Sequence, residues 1–382
     1  MREPERAPPA GHLLPLDGVR GVAAVTVVIG HAIMAVSHGD DAYAWVQRTP
    51  LIAVLNLRVA VEAFFVLSGF VLASSLSRNR HASELPQYVV RRVFRIHVPY
   101  VFAVLFAWAA SFVYGPLRPE VGPIFQRFAR VHLTGEELAR SLTFPGTASL
   151  QVPVGWTLEV EMVFSLLLPL LFLLARRTHW GLLLAVCAVP LAWGPHGHPV
   201  LKFALDFGIG IALFLERARV ASALERMPAA GAAALLAAGL AIASLPRWLG
   251  WPLWFHESPS EILLQAVGAT ALVAFGGFHP FIRRFFASRP CRFLGRISYS
   301  LYLLHVPVLL VLASLPVGTG DAWVPFAAFV VVIPVSALSY RFVERPAVVA
   351  GNRLCKRLAR RTGARLVASN LPGETAPDPA RG

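Results

Sequence analysis

The chain has 382 residues, 56% of them hydrophobic and only 15% charged, with a formal net charge of +14 and a mean hydropathy of +0.60. Soluble domains carry about 25% charged residues, so this composition excludes a water-exposed globule and indicates a polytopic membrane protein. The net charge does not mark a nucleic-acid binder, because its distribution follows the membrane topology described below.

Residues 1–12 (MREPERAPPAGH) are polar and rich in Pro, and are expected to be a disordered N-terminal segment. Ten segments follow that are apolar enough to cross, each needing roughly 20 helical residues. They lie near 15–36, 51–76, 97–115, 156–175, 180–194, 200–215, 229–246, 261–278, 298–315 and 323–342. Backbone polar groups in lipid must be satisfied within each segment, which makes the expected fold an all-α helical bundle. The first fifteen residues lack an apolar core, so the first span is expected to act as an uncleaved anchor.

Most of the 35 Lys and Arg fall in alternate loops and in the two ends. That alternation is the positive-inside pattern of a ten-span protein with both termini cytoplasmic. The membrane domain is expected over 13–347, followed by a basic, largely disordered cytoplasmic tail over 348–382. In the longest outer loop, "TGEELARSL" has Thr134 and Glu137 at capping-box spacing and predicts a short interfacial helix. "AAGAAALLAAGLA" at 229–241 reads as lipid-facing filler. Three cysteines, one in a span and two in cytoplasmic stretches, neither suggest disulfides nor fit a zinc site. No metal site or permanently bound cofactor is expected.

Ionisable residues inside spans are costly and are therefore functional candidates. His31 lies sixteen residues beyond Pro15, roughly 24 Å along the first helix and in its outer half. Arg58 and Glu62 share a helix face on the second span, and Glu159 and Glu161 enter on the fourth. Simple neutralisation explains Arg58 with Glu62 equally well, whereas His31 and Glu161 are harder to assign to packing. A second set faces the cytoplasm: Asp17 and Arg20, Arg92 and Arg95, then Arg296, Ser298 and Tyr299. Together they suit an anion such as a phosphate, for which Arg supplies paired donors. His305 lies between the two sets, seven residues beyond Ser298.

Six blocks then occur in a fixed order: "LDGVRGVAAVTVVIGHA", "VEAFFVLSGFVLASSL", "YVVRRVFRIHVPY", "WTLEVEMVFSLLLPLL", "FLGRISYSLYLLHVPVL" and "SYRFVERP". In this the chain resembles the acyltransferase-3 family of bacterial integral-membrane O-acyltransferases, over about residues 14–347. The family's Arg-x10-His motif falls on Arg20 and His31, its Arg-x-x-Arg motif on Arg92 and Arg95, and its membrane glutamate on Glu161. The chain departs from the family pattern at Glu159, Glu62 and Val306.

The resemblance implies acyl transfer from cytoplasmic acyl-CoA, the donor substrate, to a hydroxyl of a carbohydrate or glycosylated acceptor, in the bacterial inner membrane. On this reading His31 is the central catalytic residue, a general base or else the carrier of a covalent acyl group, and Glu161 or Glu159 orients its ring. Arg20, Arg92, Arg95, Arg296, Ser298 and Tyr299 hold the CoA, while Asp17, Arg58, Glu62, Glu159 and His305 support the acceptor pocket. The rival from another class is a secondary transporter of a small anionic or glycosylated solute, which also carries midplane charges. The halves show no paired repeats to favour it.

Overall fold

The computed structural model describes residues 14–36, 38–78, 85–114, 117, 119, 121–129, 134–143, 152–196, 199–250, 258–315 and 323–369. These residues form helices and no strands. Among the described residues eight helices are long and apolar enough to cross a bilayer. They are α1 (Leu14–Met34), α2 (Leu57–Arg78), α3 (Leu85–Ala110), α4 (Trp156–Arg177) and, after two shorter elements, α7 (Ala229–Trp248), α8 (Pro259–Phe278), α9 (Arg289–Ser314) and α10 (Trp323–Ser339).

The expected spans at 180–194 and 200–215 are built from shorter pieces. Helix α5 (Trp180–Ala188) passes into 3-10 turns over Val189–His196, and a second 3-10 stretch, Pro199–Phe203, leads into α6 (Ala204–Leu215). Pro190, Pro195 and Pro199 interrupt this region, and each lacks the N–H a continuous α-helix needs. Ring contacts fix the direction of α6: Trp156 meets Phe203 at 5.5 Å, Phe164 meets Phe207 at 4.4 Å, and Phe172 meets Phe214 at 6.4 Å. Both partners rise together, so α6 runs parallel to α4 along most of its own roughly 18 Å, and α5 makes the return. Asp17 near the start of α1 and Tyr340 just beyond α10 border one cavity, which puts these two helix ends at the same end of the bundle.

Helix boundaries follow local chemistry. The second expected span breaks at Asn56, whose Oδ1 accepts from the amides of Arg58 and Val59 at 3.1 and 3.2 Å. This is an N-cap, and it starts α2 afresh after the short helix Ile52–Leu55. Thr134 and Glu137 form the anticipated capping box: Glu137 accepts from the Thr134 amide at 2.8 Å, and Thr134 Oγ1 accepts from the Glu137 amide at 3.3 Å. These hydrogen bonds hold the Glu137 carboxyl below its ordinary range.

Within a bilayer, apolar helices gain nothing by hiding from lipid, so close backbone packing carries association. Helices α1 and α9 show this. A Cβ on Gly21 would overlap the backbone nitrogen of Gly295, and one on Gly295 would overlap the Asp17 carbonyl. Gly21 meets Gly295 near one end and His31 meets His305 further along, so the pair is parallel. Helix α9 is central, with 83% of its apolar window buried, against 28% for the filler-like α7. The buried side chains form two main clusters, one around α1, α3 and α9, the other around α2, α4 and α6.

The residues expected to be a largely disordered tail behave differently. After a π-helical turn, Tyr340–Glu344, the chain continues as α11 (Arg345–Ser369). Its Ala, Leu, Arg and Lys are strong helix formers, and Cys355 Sγ donates to the Gln87 carbonyl at 3.3 Å, tying it to α3. Residues 1–12 and 370–382 lie outside the described residues.

Candidate active site

Where the two apolar clusters meet, helices α1, α2, α3, α4 and α9 and the π turn enclose a cavity of about 380 Å³. Its two ends differ in chemistry. At the Arg20 end it is lined by Arg20, Arg92, Arg95, Arg296 and Arg345, with Asp17, Glu161 and Glu344 among them. At the other end it is lined by Val61, Phe64, Phe65, Ile96, Leu158 and Tyr302. On α2 the lining residues recur three and four apart, from Val61 to Leu72, as one helix face does. That face is about 16 Å long.

The arginines are not equivalent. Arg92 is buried and already engaged: its Nη2 donates to Glu161 at 2.6 Å and its Nε to Ser165 Oγ at 3.0 Å. The Ser165 hydroxyl in turn donates to the Glu161 carbonyl at 2.6 Å, and the Tyr88 hydroxyl to the Ser165 carbonyl at 2.9 Å. This lattice fixes α3 to α4 and sets Arg92 rigidly. Among the described residues Arg20 meets Asp17, at 3.4 Å. Arg95 and Arg296 are exposed to the cavity, and among the described residues neither has an acid within ion-pair distance. Guanidinium groups left open in this way are ready for an anion. Glu344, carried inward by the π turn, accepts from the Ser300 hydroxyl at 3.0 Å and is buried.

His31 and His305 do not line the cavity but pair one helical turn beyond it. His305 Nε2 lies 2.9 Å from His31 Nδ1, with ring centroids 5.0 Å apart. His305 Nδ1 lies 2.8 Å from the Tyr302 carbonyl. A carbonyl can only accept, so His305 carries its proton on Nδ1 and its Nε2 is a bare acceptor. His31 must then donate from Nδ1, and its Nε2 is left with a lone pair. His31 is half-buried while His305 is fully buried. An imidazole held in one tautomer with its second nitrogen unprotonated is arranged as a base.

A family model described as an acyltransferase domain, that of acyltransferase-3, matches residues 14–341. The chain belongs to the acyltransferase-3 family. The Komagataeibacter xylinus protein BcsY, named provisionally as a membrane-bound transacylase, is 24% identical over 375 residues, covering 93% of this chain and 88% of its own. The peptidoglycan O-acetyltransferase OatA of Listeria monocytogenes is 22% identical over 87% of this chain, which spans 55% of OatA's length. The O-acetyltransferase PaAT-1 of Phomopsis amygdali is 24% identical over 77% of this chain and 71% of its own. No solved structure matches.

In this acyltransferase-3 chain the residues expected to grip an anion do converge. Arg20, Arg92, Arg95, Arg296, Ser298 and Tyr299 all line one cavity, and Glu161 lines it with them, as does Asp17, which was expected in the acceptor pocket and lies instead beside Arg20. Glu161 sits against Arg92, and the ring partner of His31 is His305. Arg58, Glu62 and Glu159 lie away from the cavity lining; Glu62 is buried on α2, and Glu159 is partly buried at the start of α4. Sequence reasoning passed over Thr157, Ser165, Ser300 and Tyr302. The signal was present for two of them: Ser165 follows Glu161 by four residues, and Tyr302 precedes His305 by three, helical spacings that put each pair on one face. A second buried ion pair, Arg247 with Glu261, joins α7 to α8, with Gln265 donating to Glu261 at 3.2 Å. Its acid and base lie fourteen residues apart across a loop, where periodicity gives no hint.

Proposed function

We propose that this protein is an inner-membrane O-acyltransferase that moves an acyl group from cytoplasmic acyl-CoA to a hydroxyl of a carbohydrate or glycosylated acceptor. One observation carries the reading: a cavity with open arginines at one end stops, at its other end, one helical turn from a histidine whose Nε2 is unprotonated. The phosphates of CoA suit Arg20, Arg95 and Arg296, with Arg92 braced behind them by Glu161. The uncharged pantetheine arm suits the apolar face of α2. His31 lies eleven positions beyond Arg20 on α1, a rise of about 16 Å, which the arm has to cover.

His31 acts as the general base. Its Nε2 takes the proton of the acceptor hydroxyl as that oxygen attacks the thioester carbonyl carbon. The carbon–sulfur bond breaks, the ester forms, and the imidazolium returns the proton to the departing sulfur as free CoA thiol. His305 keeps the Nδ1 proton of His31 in place throughout, the orienting part a carboxylate plays in a catalytic triad.

The test is thiol release by the purified protein in detergent or nanodiscs. With acetyl-CoA and a carbohydrate acceptor it should liberate free CoA in step with acceptor acylation. Uptake of solute into vesicles without thiol release would replace this reading with that of a carrier.

A further inference from the structure

Two rings line the apolar end of the cavity. Phe64 and Tyr302 meet edge to face with centroids 5.7 Å apart, and both line the cavity. Tyr302 continues the line of rings, 6.0 Å from His305, which is itself 5.0 Å from His31. The Tyr302 ring therefore borders both the cavity and the histidine pair. It is also tethered at its far end. Thr157 Oγ1 lies 2.9 Å from the Val154 carbonyl and 3.1 Å from Tyr302 Oη. The single hydroxyl hydrogen of Thr157 is claimed by the carbonyl, so the Tyr302 hydroxyl donates to Thr157. Tyr302 is 6% exposed and Thr157 likewise 6% exposed.

We infer that Phe64 and Tyr302 form a wall that sets the length of the acyl group, restricting the donor to short-chain acyl thioesters. The inference rests on the donor reading above and deepens it. With the CoA phosphates on the arginines, the thioester end of the arm is the part that reaches Val61, Phe64 and Tyr302. Each further methylene on the acyl chain must then enter the space these rings fill. A closely packed wall rejects an added methylene by overlap, and cores tolerate such overpacking poorly. Phe64 is the adjustable half, since it is partly buried and makes no hydrogen bond through its side chain. Tyr302 is the fixed half, held by Thr157.

The experiment compares kcat/KM for acetyl-, butanoyl- and hexanoyl-CoA in wild type, Phe64→Leu and Phe64→Ala, read as thiol release with acceptor present. Wild type should fall steeply beyond the short chains. The ratio of hexanoyl to acetyl should rise in the order wild type, Leu, Ala, by about 10- to 200-fold for a change worth one methylene of fit. Phe64→Leu removes little volume, so it keeps the test open if the alanine variant does not fold. A flat wild-type profile overturns the wall, as does an unchanged ratio in an active variant, and either leaves the donor reading intact. Absence of thiol release from wild type with every chain length overturns the donor reading and the wall with it.

Discussion

His305 Nε2 accepts from His31 Nδ1 across 2.9 Å, and the direction of that bond is fixed three residues away, by the Tyr302 carbonyl 2.8 Å from His305 Nδ1. A backbone acceptor thus decides which nitrogen of a different helix is basic. The relation joins α1 to α9, the parallel pair held close by Gly21 and Gly295. Packing and protonation are set at one interface.

The first prediction follows from the bare Nε2. His31→Asn keeps a similar size and can still pair with His305, so the fold should survive. It has no nitrogen that takes a proton near neutral pH. Turnover should drop by about 10²- to 10⁴-fold while acetyl-CoA binding, followed by calorimetry, stays within a few-fold of wild type. Turnover close to wild type would reduce His31 to a packing residue.

His305 is predicted to act through His31 and not on substrate. His305→Ala removes the acceptor for the Nδ1 proton and lets the wrong tautomer form, a fault that costs up to about 10⁴-fold in kcat in a catalytic triad. KM for acyl-CoA should change little. His305→Gln places an acceptor oxygen near the lost Nε2 and should recover part of kcat. Equal loss in both variants, with KM rising in step, would show that His305 touches the donor instead.

Arg92 and Arg95 share a motif but should fail differently. Arg92→Gln breaks the contact with Glu161 and leaves that acid uncompensated. Loss of one partner from a fully buried pair costs about 3–5 kcal/mol, and the Glu161 side chain is 22% exposed, so a smaller cost is expected here, seen as a lower Tm in detergent. Arg95 has no such partner among the described residues. Arg95→Gln should leave Tm nearly unchanged and raise the acyl-CoA KM by roughly 10- to 150-fold, the loss of one charge-assisted contact of about 1.5–3 kcal/mol. Identical behaviour of the two variants would refute this division.

Much of this was legible in the sequence. Long apolar runs gave eight of the spans, because satisfying the backbone in lipid leaves helix as the only local solution. The arginine cluster was legible too, since charges spaced three or four apart at the ends of helices must share a level. What escaped was set by contacts between distant helices. Glu161 and His31 enter at depths that suggest a pair, yet depth does not tell which helix neighbours which, and α4 turns Glu161 toward Arg92. The π turn at Tyr340–Glu344 is marked only by Pro346, whose missing N–H breaks the α-helical bond to Phe342 without telling that Glu344 will meet Ser300. Likewise α11 reads as a polar tail because its helix formers are also the residues of solvated segments.

The remaining prediction concerns orientation, on which the choice between cytoplasmic and outer donor depends. Parallel packing of α1 with α9 requires an even number of crossings to separate their starts, a condition the bundle meets. It does not say which side is which; the basic loops do. Arg20, Arg91, Arg92, Arg95 and the arginines of α9's first turns all lie at one end of the bundle, and positive residues are retained in the cytoplasm. Reporter fusions at Gly39 and Leu354 should therefore label opposite sides, Gly39 outside and Leu354 in the cytoplasm. Gly39 follows the His31 end of α1 and Leu354 lies on α11, beyond the arginine end of the cavity. Phosphates of an acyl-CoA made in the cytoplasm then meet the arginines first, and the acceptor approaches His31 from the far side. The reverse labelling would place the arginines outside, where CoA is absent, and the donor assignment would fall with the topology.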